Sequence, residues 1–142
     1  MKILFFSQYF WPENFRINEI IKFLKKNNKS IVLTSYPTYP NKSLYKNYEK
    51  LDDKKFSDLE IVRVPVIPRY YNNFLIYLNY LTFIINSFFF GLFVLIKKKI
   101  EVIFIFCPSP ILSALPIILL NKLFKKKIVI WILDLWPNTV ID

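Results

Sequence analysis

The chain has 142 residues, 54% of them apolar and 19% aromatic, and a formal net charge of +10. So apolar a composition excludes a disordered protein, and the length suits one hydrophobic core and therefore one domain. Histidine is absent and cysteine occurs once, at Cys107, which excludes a disulfide framework, a cysteine-based metal site and the usual general base.

Ile3 to Phe6 is a short apolar run, the pattern of a strand buried on both faces of a parallel sheet. A polar, Pro-containing turn follows over Ser7 to Asn14, with Asn14 as a candidate N-cap. Apolar residues then recur at helical spacing through Phe15, Ile17, Ile20, Ile21, Phe23 and Leu24. Strand, loop and helix in the first 26 residues form the entry unit of a doubly wound α/β domain. The loop after the first strand then lies at the carboxyl edge of the sheet, where ligands bind.

Ser30 to Ser35 is predicted as the second strand. Tyr36 to Asp58 is a long polar and aromatic loop, and Glu60 to Val66 a third strand closed by Pro65 and Pro68. Phe74 to Ile96 holds 23 residues without a formal charge, long enough to span a bilayer. Yet Asn79, Thr82 and Asn86, at i, i+3 and i+7, set a polar stripe on one face. A buried or membrane-surface helix is therefore expected over a span. Val102 to Cys107 is the fourth strand, stopped at Pro108-Ser109-Pro110. Ile111 to Phe124 is a helix with Ser109 as its N-cap, and Ile128 to Leu133 the fifth strand. The expected fold is α/β and Rossmann-like, a mostly parallel sheet with helices on both faces. Asp142 lies a few residues past the last strand, so one face of that strand is expected to lack a helix, as if the chain were cut.

Lysines cluster at Lys25-Lys26, Lys97-Lys98-Lys99 and Lys125-Lys126-Lys127, each after an apolar helical segment. They are either solvated helix ends that favour the helix dipole or a basic face for anionic lipid headgroups. No nucleic-acid motif accompanies them, so nucleic acid is not an expected partner. The absence of a cleavable signal pattern and the cysteine usage fit a cytoplasmic setting.

The string SQYFWPENFRIN, then LTSYPTYPNKSLYKNY, NYLTF, CPSP and DLWP, resembles the amino-terminal half of a family 4 glycosyltransferase of the GT-B fold. Within that family it is most similar to bacterial enzymes of capsule, O-antigen and colanic-acid-type assembly. The resemblance implies an acceptor-side domain over residues 1–142, and retaining transfer from a nucleotide sugar to a lipid-linked sugar acceptor without an essential metal. It implies work at the inner face of the plasma membrane, peripheral on that surface. The donor site belongs to a second domain that these residues do not include, or to a partner chain. No cofactor and no metal are expected. The loop WPENFRIN carries no glycine where many family members have adjacent glycines, so close backbone approach to donor phosphates is not available in that form.

Candidate site residues follow from position and chemistry. Glu13 and Arg16, at the sheet's carboxyl edge, are suited to sugar hydroxyls or a phosphate, or else are a helix-start carboxylate and a solvated arginine. Asn18 lies one turn on from Asn14. Tyr39 belongs to a Pro-stiffened loop with Tyr36 and Tyr45, either a stacking face for a sugar or rings packed on the domain itself. Arg69 either meets an acceptor phosphate or flanks a membrane-touching helix. Ser109 is either an anion or hydroxyl contact or a plain cap. Asp134, the first polar group after IVIWIL, is the candidate catalytic carboxylate that orients and helps deprotonate an acceptor hydroxyl, or a loop residue capping backbone amides.

Overall fold

The computed structural model describes residues 1–45 and 56–133. In chain order the elements are β1 (Lys2–Phe6), α1 (Ile17–Leu24), β2 (Lys29–Ser35), β3 (Glu60–Val64), α2 (Asn73–Lys97), β4 (Val102–Cys107), α3 (Leu115–Phe124) and β5 (Lys127–Ile132). Short 3₁₀ turns lie at Lys42–Tyr45 and Ile111–Ala114. The strands form one five-stranded sheet in the order β3-β2-β1-β4-β5, every neighbouring pair parallel. This is the α/β, Rossmann-like arrangement the apolar runs predict. Its topological switch lies at β1, which pairs with β2 on one side and β4 on the other.

Alternation along the strands sorts the core into two layers. Leu4 and Phe6 of β1 join Ile31, Leu33, Ile103 and Ile105 beneath α2 and α3. Ile3 and Phe5 join Val32, Phe106 and the α1 residues Ile17 and Ile21 on the opposite face, with Phe56 closing the layer. Gly91 lets α2 approach α3: a Cβ there would stand 3.1 Å from Leu120 Cδ1. At β5, Val129 and Trp131 register with Phe104 and Phe106 and so share the α1 face, and both remain exposed. Among the described residues no helix covers them.

Three boundaries differ from expectation by more than one residue. β3 stops at Val64, because Pro65 has no N–H to continue the ladder; its carbonyl instead accepts from Asn86 Nδ2 at 2.8 Å. The N-cap of α1 is Arg16, with no side-chain cap bond, so Asn14 is not the cap. Ser109 is not a cap either. Extended Pro110 precedes a 3₁₀ turn over Ile111–Ala114, and α3 begins only at Leu115, with Pro116 in its first turn where a missing N–H costs nothing.

Candidate functional site

The loops after β1, β2 and β3 meet at the carboxyl edge of the sheet, held by buried polar groups. The Gln8 carbonyl accepts from Ser35 N at 3.1 Å, Ser35 Oγ at 2.7 Å and Thr34 Oγ1 at 3.1 Å, pinning the β1 loop to β2. Arg63, reaching from β3, donates to Ser35 O at 3.0 Å and to Trp11 O.

Glu13 is the knot of this end. Its Oε1 accepts from Thr38 N at 2.8 Å and Tyr39 N at 2.7 Å, and Oε2 from Phe10 N at 3.3 Å. The side chain is almost wholly buried. Burial pushes its carboxyl up to about 7, although the three N–H donors and the Arg63 charge pull the other way. Asn18 completes the loop. Its Nδ2 donates to Glu13 O at 2.8 Å and its Oδ1 accepts from Trp11 N at 3.0 Å. Both residues are thus spent on shaping the backbone, not presented to solvent.

On this scaffold stands an aromatic cluster. Tyr9 and Phe15 stack with centroids 4.8 Å apart, and Tyr39 leans against both at 5.1 Å. Arg69 lies over the Tyr39 ring at 5.0 Å and the Tyr80 ring at 5.5 Å. Its Nη1 donates to Tyr9 Oη at 2.9 Å and Tyr80 Oη at 3.0 Å. One nitrogen therefore commits both its hydrogens to phenol oxygens. The guanidinium is half-buried, and its other three N–H groups have no acceptor among the described residues. Burial, with Tyr80 beside it, holds the Tyr9 phenol neutral, well above its ordinary range, against the opposing pull of Arg69.

Asn79 of α2 ties the floor together. It accepts from Gln8 Nε2 at 2.9 Å and donates to Ile67 O at 2.7 Å and Thr38 Oγ1 at 3.4 Å. Gln8 Oε1 is buried with no hydrogen-bond partner among the described residues.

Of the residues proposed from sequence, Glu13, Asn18, Tyr39 and Arg69 come together here. Arg16 is exposed and makes no side-chain hydrogen bond among the described residues. Ser109 sits apart, in the loop after β4, also without a side-chain bond among them. Asp134 lies outside the described residues. The sequence does not single out Tyr9, Phe15 and Tyr80, since aromatics ahead of and within helices carry no signal separating a site from a core. Among the described residues no group of histidine, cysteine or acidic side chains is arranged to hold a metal ion.

Fold and site define a Rossmann-like α/β domain with an arginine-centred aromatic patch at the carboxyl edge of its sheet. No protein-family model and no curated protein matches the chain. Among solved structures it is similar to the C-terminal domain of a hydrogenase from Pyrococcus furiosus. That match has 16% identity and a TM-score of 0.52 over 91% of this chain and 89% of that one. At that identity the likeness is one of fold alone.

Proposed function

We propose that this chain is the acceptor-side half of a retaining glycosyltransferase of surface polysaccharide synthesis. Its carboxyl edge holds a sugar attached through diphosphate to a lipid. The single observation that carries this reading is Arg69: a half-buried guanidinium clamped by Tyr9 and Tyr80, stacked on Tyr39, with three N–H groups that meet no acceptor among the described residues. A planar donor fork suits a phosphate bidentately, and the adjacent tyrosine ring offers a sugar an apolar face. Tyr39 and Arg69 are the acceptor contacts. Glu13 and Asn18 are positioning residues that hold the loops presenting them. The nucleotide-sugar donor is bound by a second α/β unit, in the same polypeptide or in a partner chain, so these residues alone turn over no nucleotide sugar.

The test is titration of the purified chain with a monosaccharide linked through diphosphate to a short prenyl chain, followed calorimetrically. Saturable binding is expected, weakened about tenfold or more by Arg69→Ala, the worth of a charge-assisted bond. Binding indifferent to Arg69→Ala overturns the site. Sugar transfer by this chain alone overturns the division of labour.

A further inference from the structure

On the acceptor-site reading of this edge, we infer that Glu13 is a proton-operated latch on the Arg69 site. Ionised, it fastens the loop that carries Tyr39; protonated, it lets that loop loosen. The side chain ties two loops together. Its Oε1 takes Thr38 N at 2.8 Å and Tyr39 N at 2.7 Å from the loop after β2. Its Oε2 takes Phe10 N at 3.3 Å from the loop after β1. Tyr39 is the residue whose ring lies under the Arg69 guanidinium at 5.0 Å. The carboxylate therefore holds the backbone of the ring on which the guanidinium rests. Tyr45 braces the same residue from the other side of its peptide, its Oη donating to Tyr39 O at 2.8 Å. Pro40 follows with no N–H to anchor the loop further.

The geometry suits the ionised form. All three of these partners donate, and the charge facing the carboxylate, Arg63 from β3, is positive. The other titratable groups turned toward it are phenols of the neighbouring loops, Tyr9, Tyr39 and Tyr45. Those of Tyr9 and Tyr45 are pushed up by burial and, in smaller part, by the Glu13 charge. A carboxylate only accepts, whereas a carboxylic acid must also place a proton. Among the described residues that proton meets no acceptor. It either stays buried without a partner or turns out one of the amides, and the bonds that remain lose their charge assistance. Burial pushes the carboxyl up to about 7, so the change of grip falls in the neutral range. The chain has no histidine to titrate there. Its one thiol, Cys107, is pushed up by burial, and its amino terminus lies at the opposite edge, where Met1 O accepts from Lys29 N at 3.0 Å. A ligand that stacks on Tyr39 needs the fastened loop. It therefore selects the ionised form and drives the proton off.

The experiment is calorimetric titration of the chain with the same monosaccharide diphosphate prenyl compound near pH 5 and near pH 8. Each titration is run in two buffers of different ionisation enthalpy, which counts the protons exchanged. The ligand's diphosphate is esterified at both ends and keeps one charge over this range, so any proton comes from the protein. Binding about tenfold tighter near pH 8, with proton release near pH 7, is expected. Tenfold corresponds to a ligand that lowers the Glu13 pKa by about one unit. Glu13→Gln keeps the shape but cannot ionise. It should bind at both pH values with the parent's affinity near pH 5 and release no proton. The parent's own proton count needs no variant, so a misfolded Glu13→Gln leaves the test standing. Binding indifferent to pH, without proton exchange, overturns the latch and leaves the Arg69 site intact. Tighter binding near pH 5 overturns it too, because the Glu13 charge then repels the ligand more than it orders the loop. Equal proton release by Glu13→Gln assigns the proton to another group. No binding at either pH overturns the acceptor reading itself, and the latch falls with it.

Discussion

Glu13 shows how one side chain couples the loops to pH. Its carboxyl titrates near 7 in the fold because burial penalises the charge more than three N–H donors and Arg63 favour it. In the unfolded chain it titrates near 4.5. Between these values the native state holds the proton and the unfolded state has lost it, so stability is full below about 4.5 and declines as pH rises through 7. The decline is at most on the order of 3 kcal/mol. Glu13→Gln freezes the neutral form. It should match the parent's urea stability near pH 5 to within about 1 kcal/mol and lose the parent's slope between pH 5 and 8. If both proteins show the same slope, another group is responsible and the carboxylate of Glu13 is stabilised by its donors at neutral pH.

The element that decides the architecture is α2, and its polar stripe is its address label. Asn79 binds Gln8 and Ile67, Thr82 Oγ1 accepts from Ile67 N at 3.0 Å, and Asn86 binds the Pro65 carbonyl. The stripe thus laces the helix to the segment leaving β3. Asn79→Leu leaves the buried Gln8 amide and the part-buried Ile67 carbonyl without this partner and should cost about 2–3 kcal/mol in urea unfolding; a loss below about 0.5 kcal/mol would mean water or rearrangement satisfies those groups. This stripe also marks how far the sequence is legible. Its spacing showed that one face of α2 meets polar partners, and the apolar runs gave all five strands nearly to the residue, because buried parallel strands need unbroken apolar chains. Helix starts were less legible. Asn14 and Ser109 have the chemistry of caps, but the turns before α1 and α3 are set by Asn18 and by prolines, whose effect depends on contacts across the loop. At the site, Arg69 and Tyr39 were legible as types suited to sugars and phosphates. Their clamp was not, since Tyr9 and Tyr80 lie 60 and 11 residues from Arg69 in the chain and only the fold joins them.

At the scale of the molecule, a parallel sheet sends every strand start and every crossover-helix end to one edge. Lysines scattered in sequence therefore converge: Lys2, Lys29 and Lys127 begin strands, while Lys25, Lys97 and Lys125 lie at helix ends. The helix dipoles offset part of this charge, by about 0.3–1 kcal/mol for each well-placed lysine. Among the described residues two ion pairs oppose it further, Lys25 with Asp58 at 2.6 Å and Lys98 with Glu60 at 2.7 Å. The Lys25 contact holds the Asp58 carboxyl below its usual range. Both carboxylates are well exposed, however, and such pairs contribute up to about 1 kcal/mol each before screening by solvent and salt. Repulsion among 20 basic groups against 10 acidic ones acts over longer distances and is the larger sum. Salt screens both, shortening the Debye length from about 10 Å at 0.1 M to about 3 Å at 1 M. The melting temperature should therefore rise as sodium chloride is added over that range, most steeply at the low end. A fall would mean the two ion pairs outweigh the repulsion, which would require them to be far better shielded from water than Asp58 and Glu60 are. The same edge charge should speed association with anionic vesicles at low salt, so stability and membrane encounter respond to ionic strength in opposite directions.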